Sequence, residues 1–260
     1  MPTKILVIKK LNLNNAVLLV GLPGIGLVGK IAIDYLMKEL HPEKIAEIYS
    51  YSFPPSVHTK DSKIELIHDE VFYLKKGKQD FLFLAGPVQP TLDPKTGTSE
   101  EHYEFSETLI GFFKSIGVKE IVTLAGINIG DKRLDSNPNV VVAGTDNEVV
   151  SSWVKIGAKE DKKEGLISGV AGLLVGLSRM YGVKGVCLMG ETNIQLIYGD
   201  NGSAKKLIEV ICKKYNLKIK MQSIAKDAKE IEKTFKELTK QLHALEEEPT
   251  EQNTKLPYVR

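Results

Sequence analysis

Gly24, Gly26 and Gly29 spell GxGxxG between an apolar run and a helix-like segment, the placement of a dinucleotide-binding fingerprint. Read with Lys30, the same stretch is GxxxxGK, the pattern of a phosphate-binding loop. Each reading lacks a part. A phosphate loop carries a Ser or Thr hydroxyl for Mg²⁺ after the lysine, and position 31 is Ile, which speaks against nucleoside-triphosphate hydrolysis. A dinucleotide site needs an acidic ribose partner about 20 residues on, at the end of the second strand. Glu47 is the one candidate, and Ile48 follows it where a loop should begin. What remains is a turn whose glycines let the chain fold tightly and let the helix approach the sheet, its N-terminus still able to hold an anion. Gly24, Gly26 and Gly29 are therefore read as a structural turn, and no cofactor is expected.

The five histidines, His41, His58, His68, His102 and His243, show no HxH, HExxH or Cys-paired spacing, so no metal is expected. His58 follows two prolines that fix an extended entry, and no orienting carboxylate is identifiable for it. Trp153 fits a core or interface anchor better than a stacking platform. The two cysteines, Cys187 and Cys212, sit in apolar surroundings without a CxxC partner and read as reduced core thiols of a cytosolic protein. A further group of polar residues, Gln89, Thr91, Asn128, Asp131, Arg133, Glu191, Thr192 and Asn193, follows apolar runs in glycine-led loops. Turn chemistry and helix capping account for them, and no nucleophile, base and orienter spacing appears among them. No catalytic residue is assigned.

Four apolar runs must position these loops: Ala16 to Val20, Phe81 to Ala85, Glu120 to Ala125 and Lys184 to Met189, each ending in glycine. Helix-like segments lie between or after them, at Gly26 to Leu40, Ser99 to Ser115, Ser168 to Tyr181 and Ser203 to Tyr215. This alternation builds an α/β fold with a mainly parallel sheet and helices on both faces. Shorter runs at Ile45 to Ser50, Lys63 to Ile67, Glu70 to Lys75 and Val140 to Gly144 add strands and make the sheet mixed. The middle pair reads as a hairpin through His68 and Asp69. In such a sheet ligands bind beyond the carboxyl ends of the strands, so the glycine-led loops should share one rim.

From Ile224 the pattern changes. Apolar residues fall at Ile224, Ala228, Ile231, Phe235, Leu238, Leu242 and Leu245, a spacing of alternating fours and threes sustained through three heptads, which is a coiled-coil seam. An amphipathic helix lying on its own domain is the alternative. The strict 3.5-residue period, narrower than a core-facing helix needs, favours self-association. Residues 1–222 therefore read as the core domain, 223–246 as an oligomerisation helix and 247–260 as a mobile tail that ends in Leu256, Pro257, Tyr258, Val259 and Arg260. That apolar, aromatic end has the character of a docking peptide, since capture of a C-terminal carboxylate is a recognised binding mode; simple fraying is the alternative.

Composition sets the outer limits. With 260 residues, 42% hydrophobic and 26% charged, the chain can bury a core without disulfides. A net charge of +2 is too small for a protein that neutralises many phosphates along a nucleic acid, and no run of about 18 apolar residues crosses a membrane. Abundant Lys, Glu and Ile suit a thermophile.

The ordered set GLPGIGLVGKIAIDYL, FPPSVHT, FLFLAGPVQP, TLAGINIG, SGVAGLLVGL and GVCLMGET resembles the proteasome assembly chaperone family in its archaeal branch, from about Leu18 to Thr192 and more loosely to Leu245. The resemblance implies a three-layer αβα sandwich similar to nucleoside phosphorylases, and no enzymatic activity. It implies a homo-oligomer, with proteasome α-subunits or a paralogous protein as partner. Some members end in a hydrophobic residue, Tyr and any residue, a tail that enters pockets between those α-subunits. Here Tyr258 is third from the end and Pro257 precedes it. Two other readings stand beside the chaperone: a scaffold that meets only a paralogue, and a small-molecule or nucleotide-binding enzyme of phosphorylase-like fold.

Overall fold

The computed structural model describes residues 3–90, 100–133, 136–160 and 164–222, together with 224 and 226. Its strands are β1 (Lys4–Val7), β2 (Ala16–Gly21), β3 (Glu43–Tyr49), β4 (Val57–Lys60), β5 (Lys63–Leu66), β6 (Asp69–Lys76), β7 (Gln79–Ala85), β8 (Val118–Asn128), β9 (Val140–Gly144), β10 (Lys159–Glu160) and β11 (Lys184–Thr192). The helices are α1 (Val28–Leu40), α2 (Glu100–Ser115), α3 (Asn147–Val154), α4 (Gly169–Ser178) and α5 (Asn201–Tyr215).

Nine strands form one sheet in the order β1-β3-β6-β7-β2-β8-β11-β9-β10. Parallel pairing is concentrated at its centre, where β7, β2, β8 and β11 run together. β6, β3 and β1 are added antiparallel on one side and β9 antiparallel on the other, with short β10 parallel to β9. The sheet is mixed, and its parallel character does not extend to the flanks. β2 and nearly all of β7 are buried, as are the middles of β8 and β11, which is why these strands appear in sequence as continuous apolar runs rather than alternating ones. β2 ends at Gly21, whereas β8 and β11 run on through the glycines expected to end them, Gly126 and Gly190.

Side chains alternate between two cores. Val17 and Leu19 of β2 join Ala32, Ile33 and Leu36 of α1, Trp153 of α3 and Leu207, Ile208 and Ile211 of α5 on one face. Leu18 and Val20 join Phe105, Leu109 and Phe113 of α2 and Val170 and Leu174 of α4 on the other. The arrangement is three layers, helix on sheet on helix. Trp153 is fully buried, its ring edge-on to Tyr215 at 5.8 Å, so it is a core anchor. Cys187 is buried and Cys212 partly so; both are unpaired, and burial pushes each thiol up to about 11.

The expected hairpin through His68 and Asp69 does not form. β5 folds back on β4 as a separate two-stranded ribbon, and β6, which begins at Asp69, pairs with β3 and β7. The ribbon's turn residues, Asp61 and Ser62, take φ of 49° and 62°, the left-handed pair a tight two-residue hairpin requires.

After α5 the chain turns at Asn216 (φ 51°) and returns across α1. Leu217, Ile219, Met221 and Ile224 join the α1 core, the Tyr35 hydroxyl donates to the Lys220 carbonyl, and the Lys220 amide donates to Glu39 at 3.1 Å. Ile224, expected in the coiled-coil seam, is instead 3% exposed in its own domain's core. Packing against α1 uses its apolar surface. Ala228, Ile231, Phe235, Leu238, Leu242, Leu245 and the tail Leu256–Arg260 lie outside the described residues, as does Thr91.

Candidate functional site

The carboxyl ends of β2, β8 and β11 carry the rim expected from the sequence. The Leu27 amide donates to the Gly24 carbonyl at 2.9 Å, closing the turn that starts α1. Gly26 sits at φ 60°, open to glycine and strained for other residues. Gly29 lies so close to β8 that a Cβ there would collide with the Leu124 carbonyl oxygen. The turn is thus clamped between helix and sheet. Lys30, the cation a bound phosphate would use, forms an ion pair with Asp34 one turn along α1.

Beside the turn, Asp200 caps α5 by accepting from the Ser203 amide at 2.9 Å. It also accepts two bonds from Arg133, Nε and Nη2, each at 2.7 Å, and one from the Thr192 hydroxyl at 3.0 Å. Its own amide donates to the Gly26 carbonyl at 2.8 Å. Arg133 and Thr192, both marked in the sequence, therefore meet, but at a residue that was not marked. Asp200 precedes Asn201–Gly202–Ser203, and both Asp200 and Ser203 are capping types, so sequence alone offered two helix starts.

The other marked residues divide among separate structural bonds. Asn128 accepts from the Gly130 and Ile194 amides, each at 3.1 Å, and Asn193 donates to Asp131 at 3.4 Å. Glu191 turns away to the amide and side chain of Asn139, at 2.8 and 2.7 Å. Gln89 bridges the Pro23 carbonyl and the Val170 amide. Under this rim lies a cavity of about 560 Å³ lined by Val20, Leu22, Ile25, Leu124, Val141 and Met189 among others. Among the described residues no ionisable side chain lines it, so it offers shape and apolar surface but neither acid nor base.

Two features of the β3–β6 side escaped sequence reading. Glu47, His68 and Glu70 bring ligand-type atoms within 4.8 Å of one another. The cation at this cluster is the Lys44 ammonium, 2.7 Å from Glu47 and 3.0 Å from Glu70. These bonds hold the Glu47 carboxyl below its usual range, the Lys44 bond first and the Tyr49 hydroxyl second. Next to it, Asp69 is fully buried against Gly86, and neither of its oxygens has a partner of normal hydrogen-bond geometry among the described residues. Burial pushes its pKa well above the usual carboxylate range, opposed by the Val88 amide and, more weakly, by Lys30. The β3 to β6 pairing that creates the first feature joins residues more than 20 apart, which no local pattern reveals.

A third region is apolar and open. A groove of about 840 Å³ runs along β1, lined by Ile5, Leu6, Tyr51, Phe53, Pro54 and Leu66 among others. Among the described residues, no helix is long and apolar enough to cross a membrane.

The described residues form a three-layer α/β fold whose rim side chains hydrogen-bond to one another or to backbone. The sequence pattern of the PAC2 family matches residues 18–239, and the chain belongs to that family. It is 33% identical over 229 residues to the uncharacterized protein MJ1210 of Methanocaldococcus jannaschii, covering 88% of this chain and 84% of that one. The crystal structure of PbaB from Pyrococcus furiosus, an archaeal proteasome activator, superimposes with a TM-score of 0.79 at 29% identity, over 92% of this chain and 99% of PbaB. PbaA of the same organism, an archaeal homolog of proteasome-assembly chaperone, shares the fold with a TM-score of 0.70 at 24% identity, over 95% of each chain.

Proposed function

We propose that this chain is a non-catalytic, homo-oligomeric protein of the proteasome assembly chaperone type that docks on the proteasome core particle through its C-terminal segment. The observation that carries the reading is the near full-length likeness to PbaB, a proteasome activator. The rim supports it from the chemical side, because its ionisable side chains, Arg133, Glu191 and Asp200, bond to one another or to neighbouring groups and none of them lines the cavity. An acid–base reaction would need such a group within reach of a substrate.

In this reading the α/β domain is a platform, the Ala228–Leu245 segment gathers several copies, and Leu256, Pro257, Tyr258, Val259 and Arg260 are the effector. Several tethered tails raise avidity for a ring of repeated pockets without any new contact. Deleting Leu256–Arg260 should abolish co-elution with the core particle while leaving the oligomeric mass unchanged. Undiminished co-elution would remove the role assigned to the tail. The shifted Tyr258 favours a second reading, in which the same oligomer binds a paralogous protein and ignores the proteasome; co-elution with the core particle separates the two.

A further inference from the structure

The β4–β5 ribbon has two unlike faces. Cross-strand partners share a face, so Val57, Leu66, Thr59 and Ile64 stand on one side, with His58, Glu65 and Lys63 on the other. The apolar side is uncovered: Val57 is 47% exposed, Ile64 72% and Leu66 63%. A lone two-stranded ribbon is marginal in water, and three or more strands or a packed surface are needed to hold it. An alternating pattern with its apolar half in solvent is therefore a surface built to be covered.

The groove along β1 extends this surface. Leu6 is 57% exposed, Ile8 53% and Tyr51 67%, and among the described residues no strand lies beside the outer edge of β1. A free apolar edge is a template for another chain, and soluble proteins blunt such edges unless they use them. Six large apolar residues between 47% and 72% exposed share this face, a grouping of the kind that marks an interaction surface on a soluble protein.

We propose that this face, the apolar side of the β4–β5 ribbon together with the edge of β1, is an interface between two copies of the chain. A second copy offers the same apolar face, so each covers the other. Left bare between encounters with a foreign partner, the edge would aggregate, whereas a second copy is present at equal concentration from synthesis onward. Antiparallel pairing of β1 with its own copy about a twofold axis satisfies both free edges and closes the assembly. The ribbon's apolar side carries no charge, and in the groove the Lys4 ammonium lies over the Tyr51 ring, 5.9 Å from its centre.

The proposal shares with the proposed function only the idea of self-association, and it places a second contact remote from the C-terminal helix. The test is light scattering coupled to size exclusion on the full-length chain, on an Ile64→Asp/Leu66→Asp variant and on a Phe235→Asp/Leu238→Asp variant. The first variant should halve the oligomeric mass with an unchanged circular dichroism spectrum, since both side chains are mainly solvent-exposed. Amide exchange on the unaltered chain supplies a check free of mutation: residues 4–8 and 57–66 should be at least tenfold more protected at high protein concentration than at low. An unchanged mass with concentration-independent exchange overturns the proposal, whatever the helix variant does. Mass lost only in the helix variant leaves the helix reading standing and sinks this one, and the reverse result does the opposite. A monomeric unaltered chain overturns both.

Discussion

Asp200 and Asp69 are both hidden from water, at 3% and 0% exposure, yet the fold treats them oppositely. Asp200 accepts four hydrogen bonds, two of them from the guanidinium of Arg133. Asp69 has no partner of normal geometry among the described residues and lies flat against Gly86. Ringed by donors, Asp200 organises its neighbours, whereas burial disfavours the charged form of Asp69, opposed by the Val88 amide and Lys30. The first ties the Gly24–Leu27 turn, the end of β11 and the start of α5 into one unit. The second marks a joint between β6 and the loop after β7 where the fold carries a local cost.

The largest test of this contrast is Arg133→Ala. It leaves the Asp200 charge buried without its bidentate partner and should lower unfolding free energy by about 3–5 kcal/mol, read as a shift of the urea midpoint. A loss under ~1 kcal/mol would mean that the backbone and Thr192 donors suffice. At the other aspartate, Gly86→Ala sets a methyl against the Asp69 carboxyl and should cost roughly 1–3 kcal/mol as overpacking. A neutral result there would show that Asp69 can move aside.

Thr192→Val keeps the shape but removes one donor to a charged acceptor, a loss of about 1.5 kcal/mol by thermal unfolding. Asp69→Asn should work in the other direction. Because the folded pKa of Asp69 lies well above 3.8, its stabilising contribution is complete in acid and is lost as pH rises from about 4 through the folded value. The asparagine variant should therefore match the parent near pH 4 and gain toward neutral pH, by roughly 2–4 °C in Tm for each ~1 kcal/mol. A difference that stays flat with pH would show that Asp69 is already ionised and well solvated.

The four central strands and four of the helices were legible because burial on both faces, or on one helical stripe, leaves a strong apolar period. The edges were harder to read. Short apolar runs identify Lys63 to Ile67 and Glu70 to Lys75 as strands but do not name their partners, and sequence neighbours are the natural guess. The true hairpin turns on Asp61–Ser62, which takes left-handed backbone without the Asn-Gly or Asp-Gly signature of such turns. Helix α3 went unread because it spans only Asn147–Val154, and its cap, Asp146, sits in a run that also reads as loop. At the rim, the polar types were visible while their pairing was not, since Arg133 and Asp200 are 67 residues apart. Ile224 fitted the heptad by spacing, and only the return of the chain across α1 shows that it faces inward.

That return has a mechanical meaning. Everything beyond Lys226 is tethered to the domain through a segment held by Tyr35, Glu39 and four apolar side chains along α1. Tension applied beyond Lys226 therefore reaches α1 first. From α1 it passes through the turn at Gly24–Leu27 and the contact of Gly29 with Leu124 into β8, in the middle of the sheet. A load delivered there is shared by strands on both sides, so the tether resists force as a bolt through the centre of a plate does, without peeling an outer strand.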